Sequence, residues 1–176
     1  LGNGWTIEVI KHILGFLPEE TKKSMRVLSL FDGMSCGQIA LKEIGANVTT
    51  YLASEIDKHA IANTQHNFPN TVQLGSVTDL NIEEIVEKYG MPDILIGGSP
   101  CQSFSFSGKM KGMSTKSGEE IYTLEHYLEL KRQGFEFEGQ SYLFWEYMRI
   151  LTELRKYNPN IYFLLENVKM LEKWER

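Results

Sequence analysis

The sequence predicts an α/β protein with a mostly parallel sheet that helices flank on both faces. Apolar runs of strand length alternate five times with helical segments, as in consecutive βαβ units. Turn-forming residues bound the runs, and several helical segments carry one apolar face. The 176 residues, 42% of them hydrophobic, are enough for one domain with a sizeable core. We therefore expect a Rossmann-like layered architecture.

The predicted elements follow one another in a regular order. A helix is predicted over residues 5–17, where apolar residues recur at helical spacing until Pro18 bars continuation. The first strand is predicted at 26–31, and the helix at 37–44 is expected to stop at Gly45. The other predicted strands are 48–53, 71–74, 93–96 and 161–165. The other predicted helices are 57–67, 81–89 with Asn81 as N-cap, 121–132 and 142–157.

The composition is that of an ordinary globular protein. No apolar run approaches the length of a membrane span, and no signal-peptide pattern opens the chain. Two cysteines, Cys36 and Cys101, make no disulfide scaffold, which favours reduced thiols in a cytoplasm. The net charge of −5 argues against a generally basic nucleic-acid-binding surface. It is compatible with a local basic patch, and Lys109, Lys111 and Lys116 cluster just after Cys101.

Residues that could bind a cofactor or take part in catalysis follow the predicted strands. The first strand runs into residues 31–37 (Phe-Asp-Gly-Met-Ser-Cys-Gly), the loop where Rossmann-like folds hold a nucleotide-like cofactor. This loop lacks G-x-G-x-x-G, which argues against a dinucleotide, and it could equally be a plain βα turn. Glu55 follows the second strand, where an acid can bind ribose hydroxyls or can simply be a solvated loop carboxylate.

A cysteine follows the fourth predicted strand. Gly97 and Gly98 permit unusual backbone angles and close approach of a ligand, and Pro100 rigidifies the turn before Cys101. A lone cysteine at this position could also be a buried structural residue. Glu166 follows the fifth strand. It could also have only a structural role, as a buried acid with its hydrogen bonds satisfied or as a charge at a helix start. Together, a thiolate can add to an electron-poor ring carbon while a carboxylic acid hydrogen-bonds the ring nitrogen.

These motifs resemble those of the DNA cytosine-C5 methyltransferases. Residues 31–33 (Phe-Asp-Gly) match their first motif, and Glu55 matches the second. Residues 98–102 (Gly-Ser-Pro-Cys-Gln) are similar to the nucleophile motif, and residues 166–168 (Glu-Asn-Val) to the glutamate motif. The last two motifs, in order and at strand ends, make the resemblance specific, and it covers about residues 26–170.

The resemblance implies a reaction, a cofactor and a set of site residues. S-adenosylmethionine would lie over the first loop, and Cys101 would add to C6 of a flipped cytosine in duplex DNA while Glu166 holds N3. The implied catalytic residues are Pro100, Cys101, Glu166 and Asn167. The implied cofactor-binding residues are Asn3, Trp5, Phe31, Asp32, Gly33, Met34, Ser35, Cys36, Glu55, Ile56, Ser76, Val77 and Leu143. The implied DNA-contacting loop residues are Gln102, Ser103, Ser105, Ser107 and Lys109, and no metal is implied.

Some of these positions have specific implied roles around the adenosine. The adenine would lie against Phe31, with the ribose hydroxyls on Glu55. Ser76 stands where many relatives have an aspartate that faces the adenine amino group, while Val77 fits its apolar neighbour. Leu143 matches the motif that lines the cofactor near the adenine.

The chain departs from the family in the order and number of its motifs. Residues 1–5 (Leu-Gly-Asn-Gly-Trp), with the helix behind them, resemble the family's last motif but precede the first strand. This order predicts a circularly permuted enzyme or a chain arrangement that imitates one; the alternative is an ordinary N-terminal helix. The arginine motif and the target-recognition region have no counterpart here. We expect them to follow Arg176 or to come from another chain.

The predicted organisation is a single catalytic domain. Its parts are the N-terminal helix (1–18), a cofactor-binding half (26–100), a catalytic loop (101–120), an insertion (121–140) and a helix and strand that carry Glu166 (141–170). Within the loop, residues 104–118 lack a clear period and are expected to be mobile and to close over DNA.

The leading prediction is therefore a DNA cytosine-C5 methyltransferase of a restriction–modification or phage type. One alternative is an RNA (tRNA) cytosine methyltransferase on the same scaffold, although that branch usually carries Pro-Pro-Cys at the nucleophile. Another is a non-catalytic partner subunit, against which the presence of both Cys101 and Glu166 argues.

Overall fold

The computed structural model describes residues 4–100, 114–137 and 139–167. Within them the chain forms five strands, seven α-helices and one 3₁₀ turn. The strands are β1 (Met25–Leu30), β2 (Val48–Ser54), β3 (Val72–Gln73), β4 (Ile94–Gly98) and β5 (Tyr162–Glu166). The helices are α1 (Ile7–Gly15), α2 (Glu19–Lys23), α3 (Cys36–Glu43), α4 (Lys58–Asn67), α5 (Ile82–Tyr89), α6 (Leu124–Arg132) and α7 (Leu143–Tyr157), and the turn is Val77–Asp79. In the part of the chain so described, no helix is long and apolar enough to span a bilayer.

The five strands form one parallel sheet in the order β3-β2-β1-β4-β5. The chain moves outward from β1 to β3 and then returns to β4 on the other side of β1. The connections therefore diverge between β1 and β4, where open α/β sheets place their ligand clefts. The predicted parallel α/β fold is confirmed.

The sheet has an apolar core on each face because successive side chains of a strand point to opposite sides. Leu28, Leu30 and Leu95 contribute to one core cluster, which α5 and α7 complete. Val27 and Ile96 contribute to the other, which α1 and α3 complete. Each fully buried side chain of this size stabilises the fold by about 1.5–3 kcal/mol relative to exposure. Helices flank both faces, as predicted.

Local signals explain where several elements begin and end. The carboxylate of Asp57 accepts from the Ala60 N–H at 2.8 Å before α4, and Asn81 caps α5 as predicted by accepting from the Glu84 N–H at 3.3 Å. Gly45 follows α3 with φ +74°, as expected of a stop residue. Helix α2 was not predicted because its five residues include none that is buried and so carry no apolar pattern.

The glycines of β4 differ from expectation. The strand continues through Gly98, beyond its predicted end at residue 96, and neither Gly97 nor Gly98 adopts a left-handed angle. The expectation of unusual angles is wrong. What glycine provides is close approach: a Cβ on Gly97 would stand 2.9 Å from the carbonyl oxygen of Leu30. The neighbour that requires glycine is the adjacent strand itself.

Strand β5 lies at an edge of the described sheet. Tyr162 and Phe163 expose 41% and 56% of their surface, and Glu166 is also exposed. The alternative of a buried, satisfied acid at position 166 is therefore wrong. Glu166 ends the strand as an accessible carboxylate.

Residues 114–137 form a small lobe, which we call the insertion lobe. Ser114 bridges Glu120 and Thr115 bridges Phe137 in antiparallel fashion, and Ser114 and Thr115 are buried. The second bridge ties Thr115 to the predicted insertion (121–140). Aromatic and aliphatic side chains form the lobe's core against α7; its buried members are Ile121, Tyr127, Leu130 and Trp145.

One of the three lysines after Cys101 is engaged within the insertion lobe. Lys116 lies 2.5 Å from the carboxylate of Glu136. This ion pair offsets its charge, while Lys109 and Lys111 lie outside the described residues. A basic patch formed by these lysines would therefore lose one of its three members.

A buried carboxylate joins the insertion lobe to α7. Glu146 is fully buried and accepts hydrogen bonds from the Tyr127 hydroxyl (2.5 Å), Lys131 Nζ (2.5 Å) and Arg149 Nε (2.8 Å). Arg149 also donates to the carbonyl oxygens of Val77 (3.2 Å) and Leu80 (3.3 Å). This network connects the lobe and α7 to the turn that follows β3.

Candidate active site

A cleft of about 650 Å³ opens at the carboxyl ends of β1 and β4. Its walls come from the start of α1, the loop after β1, the end of β4 and the end of β5. Predicted site residues that line it are Trp5, Phe31, Asp32, Gly33, Met34, Cys36, Pro100 and Glu166. The N-terminal segment therefore reaches the predicted cofactor loop, as its resemblance to the last family motif implies.

Other predicted site residues lie away from the cleft lining. Glu55, Ile56, Ser76, Val77 and Leu143 stand apart from it, and Ser35 is buried beneath the loop. Outside the described residues lie Asn3, Cys101, Gln102, Ser103, Ser105, Ser107 and Lys109. The described cleft thus brings together one part of the predicted site.

The loop after β1 holds three residues in the left-handed region. Phe31 has φ +56°, Gly33 +57° and Ser35 +62°. Two of them carry a Cβ, which makes this conformation costly by about 1–3 kcal/mol each. Such strain persists only where neighbouring contacts hold it.

Asp32 provides those contacts from inside the loop. Its carboxylate accepts hydrogen bonds from the hydroxyls of Ser29 (2.6 Å), Ser35 and Tyr51 (2.8 Å). Burial raises the pKa of Asp32, although the three hydroxyls oppose that shift, and the nearby carboxylate of Glu55 adds to it. Burial also raises the pKa of Tyr51, and the charge of Asp32 raises it further. Asp32 lines the cleft, but its carboxylate is occupied by the hydrogen bonds that hold the loop in place.

We expect replacement of Asp32 with asparagine to remove a pH dependence of stability. A raised native pKa means that the folded chain binds this proton more tightly than the unfolded chain. Stability should therefore fall as pH rises above the ordinary value of 3.8 until the raised pKa is passed, and then level off. Urea unfolding of both proteins from about pH 4 to about pH 7 measures the difference in slope.

Glu136→Gln is the control, because the pKa shift of Glu136 is opposite in direction to that of Asp32. Lys116 lowers the pKa of Glu136, so this exposed pair favours folding more as pH rises. Parallel curves for the wild type and Asp32→Asn would contradict the prediction for Asp32.

Glu55 is fixed against the same loop. One carboxylate oxygen accepts from the Gly33 N–H at 2.7 Å, and the other accepts from the N–H groups of Ile56 (2.8 Å) and Asp57 (2.9 Å). The alternative of a merely solvated carboxylate is wrong. A carboxylate has about four acceptor positions, so Glu55 keeps capacity for a further donor.

Three of the residues expected near the adenine share one apolar cluster. Phe31 and Leu143 are both half-buried and pack against the core on the α7 face, to which the buried Val77 belongs. Ser76 caps the turn after β3, because its hydroxyl accepts from the Thr78 N–H at 3.3 Å. This cluster forms an apolar side next to Glu55 and the first loop.

The ends of β4 and β5 are tied to each other. Gly98 pairs with Glu166 in the parallel register, and Asn167 Nδ2 donates to the hydroxyl of Ser99 at 2.8 Å. Ser99 is buried and Pro100 lines the cleft. The glutamate motif and the first part of the nucleophile motif therefore lie side by side.

Sequence reasoning missed several supporting contacts. Ser29 and Tyr51 donate to Asp32, and Trp5 Nε1 donates to Glu166 Oε2 at 3.2 Å. A hydroxyl within the apolar run of β1 was the available signal for Ser29. No local pattern could reveal the pairing of residues 161 positions apart.

Comparisons with known proteins agree with the motifs. A profile of the family described as C-5 cytosine-specific DNA methylase matches residues 25–176. The orphan methyltransferase M.Rho11sI of Bacillus phage rho11s is 34% identical over 149 residues, covering 84% of this chain and 24% of that protein. The type II methyltransferase M.HgiCI of Herpetosiphon aurantiacus is 29% identical over 153 residues, covering 81% and 35%.

A solved structure is also similar. A crystal structure described as a candidate DNA modification methyltransferase encoded within an E. coli prophage superposes with a TM-score of 0.52 at 28% identity. The match covers 86% of this chain and 34% of that one. The chain therefore spans between 24% and 35% of the length of these relatives.

Proposed function

Because the chain belongs to the C-5 cytosine-specific DNA methylase family, we propose that it forms catalytic machinery for methyl transfer from S-adenosylmethionine to C5 of cytosine in DNA. The pairing of Gly98 with Glu166 supports this most directly. It sets the proposed acid beside the strand end that leads through Pro100 to Cys101. The family is described as a DNA methylase, and the similar E. coli prophage structure is described as a candidate DNA modification methyltransferase, which supports DNA as the substrate.

The cleft suits a cationic cofactor. Among the described residues that line it there is no lysine or arginine, whereas Glu166 contributes an exposed acidic side chain. The loop of residues 31–36 is proposed to hold S-adenosylmethionine through its own backbone and the ring of Phe31. Glu55 is proposed to bind the ribose hydroxyls of the cofactor. When bound, this cofactor supplies a methyl group on a positively charged sulfur, which is an electrophile. Glu55 retains acceptor capacity for one further donor, such as a ribose hydroxyl.

In the proposed reaction, the residues of this chain activate the cytosine ring. The Cys101 thiolate adds to C6, the C5–C6 double bond opens, and Glu166 donates a proton to N3. C5 thereby becomes nucleophilic enough to accept the methyl group. A water molecule then takes the C5 proton, the C5–C6 double bond re-forms as the C6–S bond breaks, Cys101 leaves as a thiolate, and Glu166 recovers the proton from N3. Extracting the base from the duplex costs a few kcal/mol beforehand.

The proposal places DNA contacts and site recognition partly outside the described residues. Gln102, Ser103, Ser105, Ser107 and Lys109 follow the proposed nucleophile and are proposed to meet the DNA. The relatives are about three to four times longer than the matched segment, so recognition of a target sequence is assigned to further chain or to a second chain.

A covalent trap tests the function. We expect full-length protein, given S-adenosylmethionine and duplex DNA with 5-fluorocytosine in its target site, to form an adduct that survives denaturing electrophoresis. Fluorine at C5 cannot leave as the proton does, so elimination of Cys101 is blocked. The same DNA with ordinary cytosine serves as control. Absence of the adduct, or an adduct formed equally by Cys101→Ala, would contradict the proposal.

A further inference from the structure

The indole of Trp5 lies between the carboxylate of Glu166 and the start of α3. Its Nε1 donates to Glu166 Oε2 at 3.2 Å. On the other side, its Cζ3 is 3.7 Å from the point where a Cβ on Gly37 would stand. The half-buried ring packs against the core cluster formed with α1 and α3.

One glycine leaves room for this arrangement. A Cβ on Gly98 would stand 2.8 Å from both Trp5 Nε1 and Glu166 Oε2, which is closer than packed atoms allow. The absence of a side chain at Gly98 lets the indole and the carboxylate meet at the end of β4.

From this contact we infer that Trp5 is a positioning residue that holds Glu166 in its working orientation and fixes which oxygen carries the acid proton. The inference rests on the proposed function, in which Glu166 donates to the cytosine ring. An indole N–H can only donate, so Oε2 must be the accepting oxygen. The proton of the neutral carboxyl group then sits on Oε1, and Oε1 is the atom presented to N3.

The need for such a partner follows from the location of Glu166. It ends an edge strand, is exposed, and has a long side chain whose ordering costs about 1.5–2 kcal/mol. The tryptophan ring has only two side-chain torsions and is packed against the core, so it can fix the carboxylate with little loss of its own freedom.

This role differs from the cofactor contact that the sequence implies for Trp5. A cofactor contact, when weakened, raises the KM for S-adenosylmethionine. A positioning contact, when removed, lowers kcat even when both substrates are saturating. The two roles therefore separate in steady-state kinetics.

The test replaces Trp5 with phenylalanine in the full-length protein, which keeps an aromatic ring and removes the N–H. We expect kcat and the rate of adduct formation on 5-fluorocytosine DNA to fall about tenfold to a hundredfold, as misplaced catalytic groups do. The KM for S-adenosylmethionine should stay within about twofold. Trp145→Phe is the matched control, because Trp145 Nε1 is buried and has no hydrogen-bond partner in the described part of the chain.

Gly98→Ala provides a second variant if Trp5→Phe fails to fold. Its methyl group would push the indole and the carboxylate apart while the N–H of Trp5 is retained, so the same loss of kcat is expected. Wild-type kcat in the folded variants, or a raised KM with unchanged kcat, would overturn the inference. A wild-type protein that forms no adduct at all would instead overturn the proposed function.

Discussion

Replacing Glu146 with glutamine is expected to lower the free energy of unfolding by about 3 kcal/mol. The carboxylate is fully buried and balances both Lys131 and Arg149. Removing one member of a buried ion pair leaves the others without compensation, which costs about 3–5 kcal/mol. The lower end applies because the Lys131 side chain is 36% exposed and can regain water.

Urea unfolding of the full-length protein and the variant measures this loss. Glu153→Gln is the matched control, since Glu153 pairs with the same Arg149 at 3.2 Å but its side chain is 33% exposed. Its removal should cost less than about 1 kcal/mol, as for other partly exposed pairs. Equal losses in the two variants would show that burial of Glu146 does not set the effect.

Replacing Gly97 with alanine is expected to cost about 2–3 kcal/mol, although it adds only one methyl group. The new Cβ would stand 2.9 Å from the backbone oxygen of Leu30 and 3.2 Å from the ring of Tyr147. Leu30 is directly paired with Gly97 in the register between β1 and β4. The backbone can yield only by spreading two central strands, which weakens their hydrogen bonds.

Gly15→Ala is the control for this glycine. It ends α1, and a Cβ there would meet nothing within 4 Å. Alanine in a helix is favoured by about 0.5–1 kcal/mol over glycine, so this variant should be neutral or slightly more stable. Thermal and urea unfolding should rank Gly97→Ala below the wild type and Gly15→Ala at or above it; the reverse order would refute the steric explanation.

Most of the fold was accessible to sequence reasoning because it depends on short-range patterns. Residues 94–96 of β4 follow from their apolar run, and α5 follows from Asn81 together with its helical period. Where no such pattern exists, prediction failed. Helix α2 buries no side chain, and the bridges of Ser114 and Thr115 depend on partners later in the chain.

The candidate site was predicted by residue type but not by contact. Asp32 and Glu55 were identified at strand ends, yet the hydroxyl of Tyr51 and the N–H of Gly33 that bind them come from other loops and strands. Trp5 and Glu166 are 161 residues apart, and the packing of the N-terminal segment against the core formed by α1, α3 and the sheet brings them together. Long-range pairing of this kind leaves no periodic trace in a single sequence.

The position of β5 at an edge of the described sheet has a consequence for the solubility of the chain. An edge strand with two exposed aromatic side chains, Tyr162 and Phe163, offers apolar surface and a template for pairing with another chain. Preparations in which this edge is uncovered should therefore precipitate by strand addition at concentrations where the folded core is still intact. Solubility would then report on the covering of β5 rather than on the stability of the sheet.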